Sequence, residues 1–327
     1  MIVAGDIGGT NARLATFEVQ AGRLLLVKEL VYPSRASPDL ESIVRRFVEE
    51  ARPSATAAAL GVAGPVKDGR TETPNLPWVV DSRRLAEIFA VSKVTLLNDL
   101  KANAYGLRHF GSADFAVLQA GAPDASGNQA ILSAGTGLGC AGLYWDGERH
   151  RPFATEGGHA DFAPRNHLEA ELMETIAREK GRVSAERLLS GSGLVRIYRF
   201  LRERSGVPEP EALAARFAKE DAAAVVSRSA LDQVDPVCVQ ALDMFVSAYG
   251  AEAGNVALRM LATAGVFLGG GIAPKNLPAF KRDGLFMKAF LDKGRMRPLL
   301  ETVPVQVVLN DRAALWGAAH CAAFDES

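Results

Sequence analysis

Apolar positions come first in short runs closed by glycine-rich turns and later in long helical stripes. Met1-Ile2-Val3-Ala4-Gly5 opens the chain, and the runs at 12–18 and 24–31 flank a turn at Ala21-Gly22, so residues 2–32 predict a β-meander. Between 38 and 51, Leu40, Ile43, Val44, Phe47 and Val48 recur at helical spacing. Residues 57–62 read as a strand closed by Ala63-Gly64-Pro65. Asp81 reads as the N-cap of a helix to about residue 90, and 94–97 as a strand ending at Asn98-Asp99. Strands precede strand–helix alternation, which fits a mixed α/β domain better than a uniform βαβ repeat.

After a loop at 121–128 the meander returns. Runs at 130–133, 139–145 and 150–153 surround a hairpin turn at Asp146-Gly147. Strand, glycine-rich turn, strand, hairpin, strand therefore occurs twice, which argues for two related α/β halves. Most of the remainder is helical. Asn166 with Glu169 forms a capping-box-like start and Gly181 a natural stop. A long apolar pattern over 236–261 (Val239, Leu242, Phe245, Val246, Tyr249) feeds a buried strand at 265–268 that ends in Gly269-Gly270-Gly271. The last helix, 311 to about 324, is expected to pack back on the first domain.

Composition narrows the classes. A chain of 327 residues can build two substantial cores, and 48% apolar residues is normal for a globular protein. Thirty-seven basic against 38 acidic residues leave no excess for a nucleic-acid footprint. Cys140, Cys238 and Cys321 are far apart and odd in number, which suits buried small apolar residues rather than a disulfide framework. There is no basic n-region of a signal peptide, and no uncharged apolar run reaches the roughly 18 residues of a membrane span. A reducing cytoplasm and no membrane contact are the expectation.

Two segments stand out chemically. Asp6-Ile7-Gly8-Gly9-Thr10-Asn11 and Ala134-Gly135-Thr136-Gly137-Leu138-Gly139 each follow an apolar run and put bare backbone N–H groups and a threonine hydroxyl at a tight turn. Such turns are anion sites that glycine lets a phosphate approach closely, so the pair suggests two walls on one polyphosphate. No G-x-x-x-x-G-K-[ST] string exists, and residues 135–140 are not G-x-G-x-x-G before a helix, so neither a P-loop nor a dinucleotide fold is supported. Asp99 either takes a proton from an attacking hydroxyl or caps a helix over 100–110. Glu156-Gly157-Gly158-His159 suits recognition of sugar hydroxyls, which both donate and accept. With five histidines and no second ligand pair nearby, zinc does not fit there. Glu186 reads by spacing alone as the first-turn acid of a helix capped by Ser184. Asn75 lies between Pro74 and Pro77 in a stiffened segment.

With these residues assembled, the chain resembles the bacterial glucokinase family, hexokinase-like sugar kinases of the actin-type ATPase superfamily. The matching strings are Gly5-Asp6-Ile7-Gly8-Gly9-Thr10-Asn11-Ala12-Arg13, Leu97-Asn98-Asp99-Leu100, Ala134-Gly135-Thr136-Gly137-Leu138-Gly139, Glu156-Gly157-Gly158-His159-Ala160-Asp161-Phe162-Ala163-Pro164, Val183-Ser184-Ala185-Glu186-Arg187-Leu188-Leu189-Ser190-Gly191 and Gly269-Gly270-Gly271-Ile272-Ala273-Pro274. They span essentially the whole chain. The resemblance implies an α/β, two-domain, actin-like ATPase (ribonuclease H-like) fold with an interdomain cleft. It suggests a small domain at 1–108, joined by a C-terminal helix at about 305–327, and a large domain at 109–304. It implies transfer from Mg-ATP to the 6-hydroxyl of glucose, with Asp99 as general base and Asn98, Glu156, His159, Glu186 and, less closely, Asn75 as sugar ligands. Gly5, Asp6, Ile7, Gly8, Gly9 and Thr10 match the first phosphate loop, Gly135, Thr136 and Gly137 the second, and Gly270 the adenosine side. Asp6 is the candidate for holding Mg²⁺ through water, and a homodimer is common in the family. Leu100 follows the base where relatives often carry Phe. The Cys-rich zinc motif of the repressor-related subgroup is missing after His159. A kinase for another hexose, a sugar-binding regulator without catalysis and an actin-like assembling ATPase are the alternatives.

Overall fold

A computed structural model describes residues 1–73 and 76–324, so the Asn75 assignment lies outside the described residues. The chain divides into two compact units. One comprises Met1–Ala113, Pro152–Ala154 and the chain from Asn310 onward, and the other Asp114–Arg151 and Thr155–Leu309.

In the first unit β1 (Ile2–Ile7), β2 (Asn11–Gln20), β3 (Arg23–Pro33), β4 (Ala57–Val62) and β7 (Val94–Asn98) form a sheet of order β3-β2-β1-β4-β7. The short β5 (Arg70–Glu72) and β6 (Val79–Asp81) pair separately. The meander β1-β2-β3 is antiparallel, whereas β4 and β7 continue it in parallel. β1 is central and its alternate residues feed two cores. Val3 and Ile7 face helices Leu40–Ala51 and Ser82–Phe89 through Phe47 and Leu85. Ile2 and Ala4 face helices Asp99–Gly106 and Ala313–Phe324 through Tyr105 and Leu315. These last two helices touch backbone to backbone, since a Cβ on Gly317 would stand 1.7 Å from the Ala102 carbonyl oxygen.

In a second sheet β8 (Phe115–Gln119), β9 (Gln129–Ala134), β10 (Leu138–Trp145), β11 (His150–Thr155), β12 (Gly265–Gly269) and β13 (Val305–Val308) give the order β11-β10-β9-β12-β13-β8. β9 and β10 are antiparallel, and β12 and β13 run parallel beside β9. The echo read from the sequence is thus real at the level of topology, since β11-β10-β9-β12-β13 repeats β3-β2-β1-β4-β7. The 25-residue helix Pro236–Met260 packs on this sheet, with Phe245 and Tyr249 fully buried. Its ends follow the sequence signals: Asp235 caps it through the Cys238 N–H, and Pro236 needs no N–H in the first turn.

Three local readings change. The C-terminal helix begins at Ala313, not near 305, because Val305–Val308 is short, β-branched and paired with β12. The helix at 99 ends at Gly106 and tightens into a 3-10 turn at Leu107–His109. Ser184 caps no helix, for Ala185–Arg187 is a single 3-10 turn without a side-chain cap. No helix among the described residues is long and apolar enough to cross a membrane.

Candidate active site

The first glycine turn joins β1 to β2. Its N–H groups are not all bare as expected: the Gly8 N–H donates to the Asn11 carbonyl at 2.9 Å. Gly9 and Thr10 have no backbone acceptor among the described residues. Fully buried Ser34 braces the turn, its hydroxyl donating to the Gly8 carbonyl (2.7 Å) and its N–H to the Thr10 carbonyl (2.9 Å). Gly5 and Ile7 belong to the core rather than to the loop. A Cβ on Gly5 would stand 2.4 Å from Leu60 Cδ2, and Ile7 is buried. Asp6 lies opposite Arg13 in the strand pairing. Burial pushes its carboxyl up to about 6; Arg13 opposes this, while Asp99 and Asp311 add to it. Arg13 is itself held by Asp311 at 3.0 Å and Glu29 at 3.3 Å.

Asp99 is the first residue of its helix, and the cap is Asn98. Asn98 Oδ1 accepts from the N–H groups of Leu100 (3.0 Å) and Lys101 (3.2 Å), and its Nδ2 donates to the Gly64 carbonyl (3.2 Å). The capping alternative for Asp99 therefore falls to its neighbour. Asp99 Oδ1 accepts from the adjacent Leu100 N–H at 2.9 Å. Its carboxylate stands at the end of β7, where parallel strands of open α/β sheets present ligand sites.

The second glycine turn joins β9 to β10 and is fastened at several points. The Gly135 N–H donates to the Gly137 carbonyl (2.8 Å), and the Gly135 carbonyl accepts from the Gly191 N–H (2.9 Å). Just before it, the buried Tyr249 hydroxyl donates to the Leu132 carbonyl (2.9 Å) and accepts from the Ala134 N–H (3.2 Å). Gly135 and Thr136 open onto a cavity of about 1110 Å³ lined also by Ser192, Arg196, Arg228, Gly271, Lys275 and Asn276. Gly271 rather than Gly270 faces this space. Gly270 has φ +76° and sits so close to β9 that a Cβ would stand 2.3 Å from the Ala134 carbonyl oxygen.

The segment that carries Glu156, His159 and Glu186 is assembled by a clasp between residues 159–162 and 182–185. The Phe162 N–H donates to Val183 (3.0 Å), the Ala185 N–H to Ala160 (2.8 Å), and Arg182 to the His159 carbonyl (2.6 Å). This sets His159 Nε2 3.9 Å from Glu156 Oε2 and His159 Nδ1 3.9 Å from Glu186 Oε1. Glu156 and His159 are exposed, with side-chain accessibilities of 65% and 57%. Glu186 is not the idle first-turn acid that spacing suggests, because its Oε2 accepts from the Leu138 N–H at 3.0 Å. Gly158 cannot carry a side chain, as a Cβ would lie 1.8 Å from the Leu138 carbonyl oxygen.

The cluster of Glu156, His159 and Glu186 is thus fastened to the second glycine turn through the Leu138 N–H. In comparison with known proteins, the family model described as glucokinase matches residues 3–324. The chain is 43% identical to a glucokinase of Synechocystis sp., over 98% of this chain and 97% of that protein. The chain belongs to the glucokinase family. Among solved structures, a glucokinase from an Antarctic psychrotroph superposes with a TM-score of 0.83 at 30% identity, covering 98% of each chain. A Balamuthia mandrillaris glucokinase in complex with glucose shares the fold, with a TM-score of 0.80 at 22% identity over 98% of this chain and 93% of that one. The activity is that of a glucokinase, the ATP-dependent phosphorylation of glucose to glucose 6-phosphate.

Several glucokinase residues escaped the sequence reading. Ser34 and Tyr249 brace the two turns, and Ser192, Arg196 and Lys275 line the cavity. The run Ser190-Gly191-Ser192-Gly193 was a usable signal for the cavity wall, since it opens helix Gly191–Ser205 under a Ser190 cap. Tyr249 gave none beyond its place in an apolar stripe.

Proposed function

We propose that Asp99 is the general base and that Asn98, Glu156, His159 and Glu186 hold the glucose hydroxyls. Asp99 takes the proton of the 6-hydroxyl as that oxygen attacks the γ-phosphorus of ATP and the bond to the β-phosphate oxygen breaks. Asn98 retains one amide N–H for a sugar oxygen, the other being spent on Gly64. N–H groups of Gly9, Thr10, Thr136 and Gly137 face charge on the phosphates, and preorganised donors of this kind lower the barrier most. The adenosine side of ATP occupies the cavity beside Gly271.

Magnesium suits Asp6 through water. It prefers oxygen ligands and keeps most of its waters, and a partly buried carboxylate beside Asp99 and Asp311 favours a nearby cation. Among the described residues no cluster of three or more His, Cys, Asp or Glu is arranged to hold a metal, so Asp6 would hold the ion as a single carboxylate. When bound, the ion offsets phosphate charge. The reading further has the protein work in a reducing cytoplasm, which suits three buried free cysteines, and as a homodimer.

The observation that carries this reading is the place of Asp99, the first helical residue after the Asn98 cap, at the end of the parallel strand β7. Asp99→Asn is expected to retain glucose binding by calorimetry while kcat drops by roughly 10²–10⁴ in a coupled ADP-release assay. Near-normal turnover would remove Asp99 from the role. Higher kcat/KM for mannose or glucosamine than for glucose would redirect the substrate.

A further inference from the structure

The two oxygens of Glu186 face different partners. Oε1 lies toward His159 at 3.9 Å, on the side of the hydroxyl-recognising cluster. Oε2 accepts the Leu138 N–H at 3.0 Å, at the last position of the second glycine turn. The fit is close, since a Cβ on Gly137 would stand 2.5 Å from Oε2 and would push the carboxylate aside. The turn's other end is held from the same direction, because the Gly191 N–H donates to the Gly135 carbonyl at 2.9 Å. Segment 186–191 therefore grips both ends of the turn. It also reaches the nucleotide cavity, since the Arg187 carbonyl accepts from Arg196 Nη1 at 3.0 Å and Arg196 lines that cavity.

We infer that Glu186 is a positioning residue for the nucleotide as well as a sugar ligand, coupling glucose binding to the geometry of the turn at 135–138. The inference rests on the proposed role of Glu186 toward glucose. A carboxylate is planar, so a hydroxyl that fixes the orientation of Oε1 fixes Oε2 as well. Oε2 then holds the Leu138 N–H more rigidly and preorganises the donors of Thr136 and Gly137. Ordering the turn in advance lowers the entropic cost of binding triphosphate. Linkage makes the effect reciprocal, so nucleotide must tighten glucose by the same factor.

The test is a set of calorimetric titrations of the full chain with a non-hydrolysable ATP analogue and Mg²⁺, with and without saturating glucose, and of glucose with and without the analogue. Wild type is expected to show one coupling factor of about fivefold or more from both directions. Gly137→Ala, which displaces the carboxylate from the turn without removing it, is expected to weaken glucose and to bring the factor toward one. Glu186→Ala is expected to weaken glucose and also to weaken the analogue in the absence of sugar. Glu186→Gln is isosteric and keeps an acceptor for the Leu138 N–H. It is expected to weaken glucose while holding sugar-free analogue affinity near wild type, which separates the latch from a general loss of structure. A wild-type factor of one overturns the inference. So does weakened glucose in Glu186→Ala with sugar-free analogue affinity and coupling both intact, an outcome that leaves the sugar-ligand reading standing. Unchanged glucose affinity in Glu186→Ala overturns that reading and the coupling with it.

Discussion

The two glycine turns occupy equivalent places in two sheets of matching topology, yet they are secured by different means. The turn at 8–11 is closed on itself by Gly8 and Asn11 and braced by Ser34, a residue from the end of its own meander. The turn at 135–137 is held by Tyr249 from a distant helix, by Gly191, and by the carboxylate of Glu186. The first is thus a local device whose geometry is complete without ligand. The second shares the Glu186 carboxylate with the cluster at Glu156 and His159, so the two are mechanically joined. Matching strand order fixes where a loop emerges and leaves open how it is fastened.

Substitutions can break this contrast. The largest effect is expected for Gly158→Ala, whose added methyl would overlap the Leu138 carbonyl and drive the second turn and the His159 segment apart. Overpacking against backbone costs roughly 1–3 kcal/mol or more, and both denaturant stability and kcat/KM for glucose should fall. At the first turn the largest lever is Asp6. Its folded-state carboxyl stands near 6 against an ordinary 3.8, so the folded chain binds the proton more tightly than the unfolded one. The associated stability is present below about pH 4 and is lost as pH rises through about 6, reaching about 3 kcal/mol at pH 8. Asp6→Asn should flatten urea-derived stability between pH 4 and 8 when magnesium and nucleotide are left out; an unaltered pH profile would show that the carboxyl is not perturbed.

Tyr249→Phe removes the hydroxyl that satisfies both Leu132 and Ala134, leaving a buried carbonyl and N–H without it. A loss of about 1–3 kcal/mol is expected in thermal unfolding, with a raised KM for ATP because the second turn loosens. Ser34→Ala should cost about 1 kcal/mol for one buried hydrogen bond. Because its backbone N–H still holds Thr10, KM for ATP should change less than in Tyr249→Phe. A larger kinetic effect from Ser34 than from Tyr249 would reverse the contrast between the turns.

Much of this was legible in the chain. The meanders, their repetition and the helix Pro236–Met260 follow from period-2 and period-3.6 patterns with capping residues at their ends. Both glycine turns were visible as strings, and so was the Glu156–His159 segment. Other features were not legible, because they join residues far apart in sequence. The strand Val305–Val308 is too short to separate from the following helix until β12 pairs with it. Gly317, in an alanine-rich helix, looks featureless until helix Asp99–Gly106 is found against it, fixing the element on which Asp99 rides.

The sequence by itself determined the two repeated meanders, the long helix Pro236–Met260 and which residue types could handle phosphate and hydroxyl groups, since each of these is written in local periodicity or in a contiguous string. Tertiary structure alone decided what each residue is for. Gly5 fills a core position, Asn98 takes the cap from Asp99, and Glu186 reaches across to Leu138, because a hydrogen bond or a close contact depends on the distance between atoms and not on their separation along the chain.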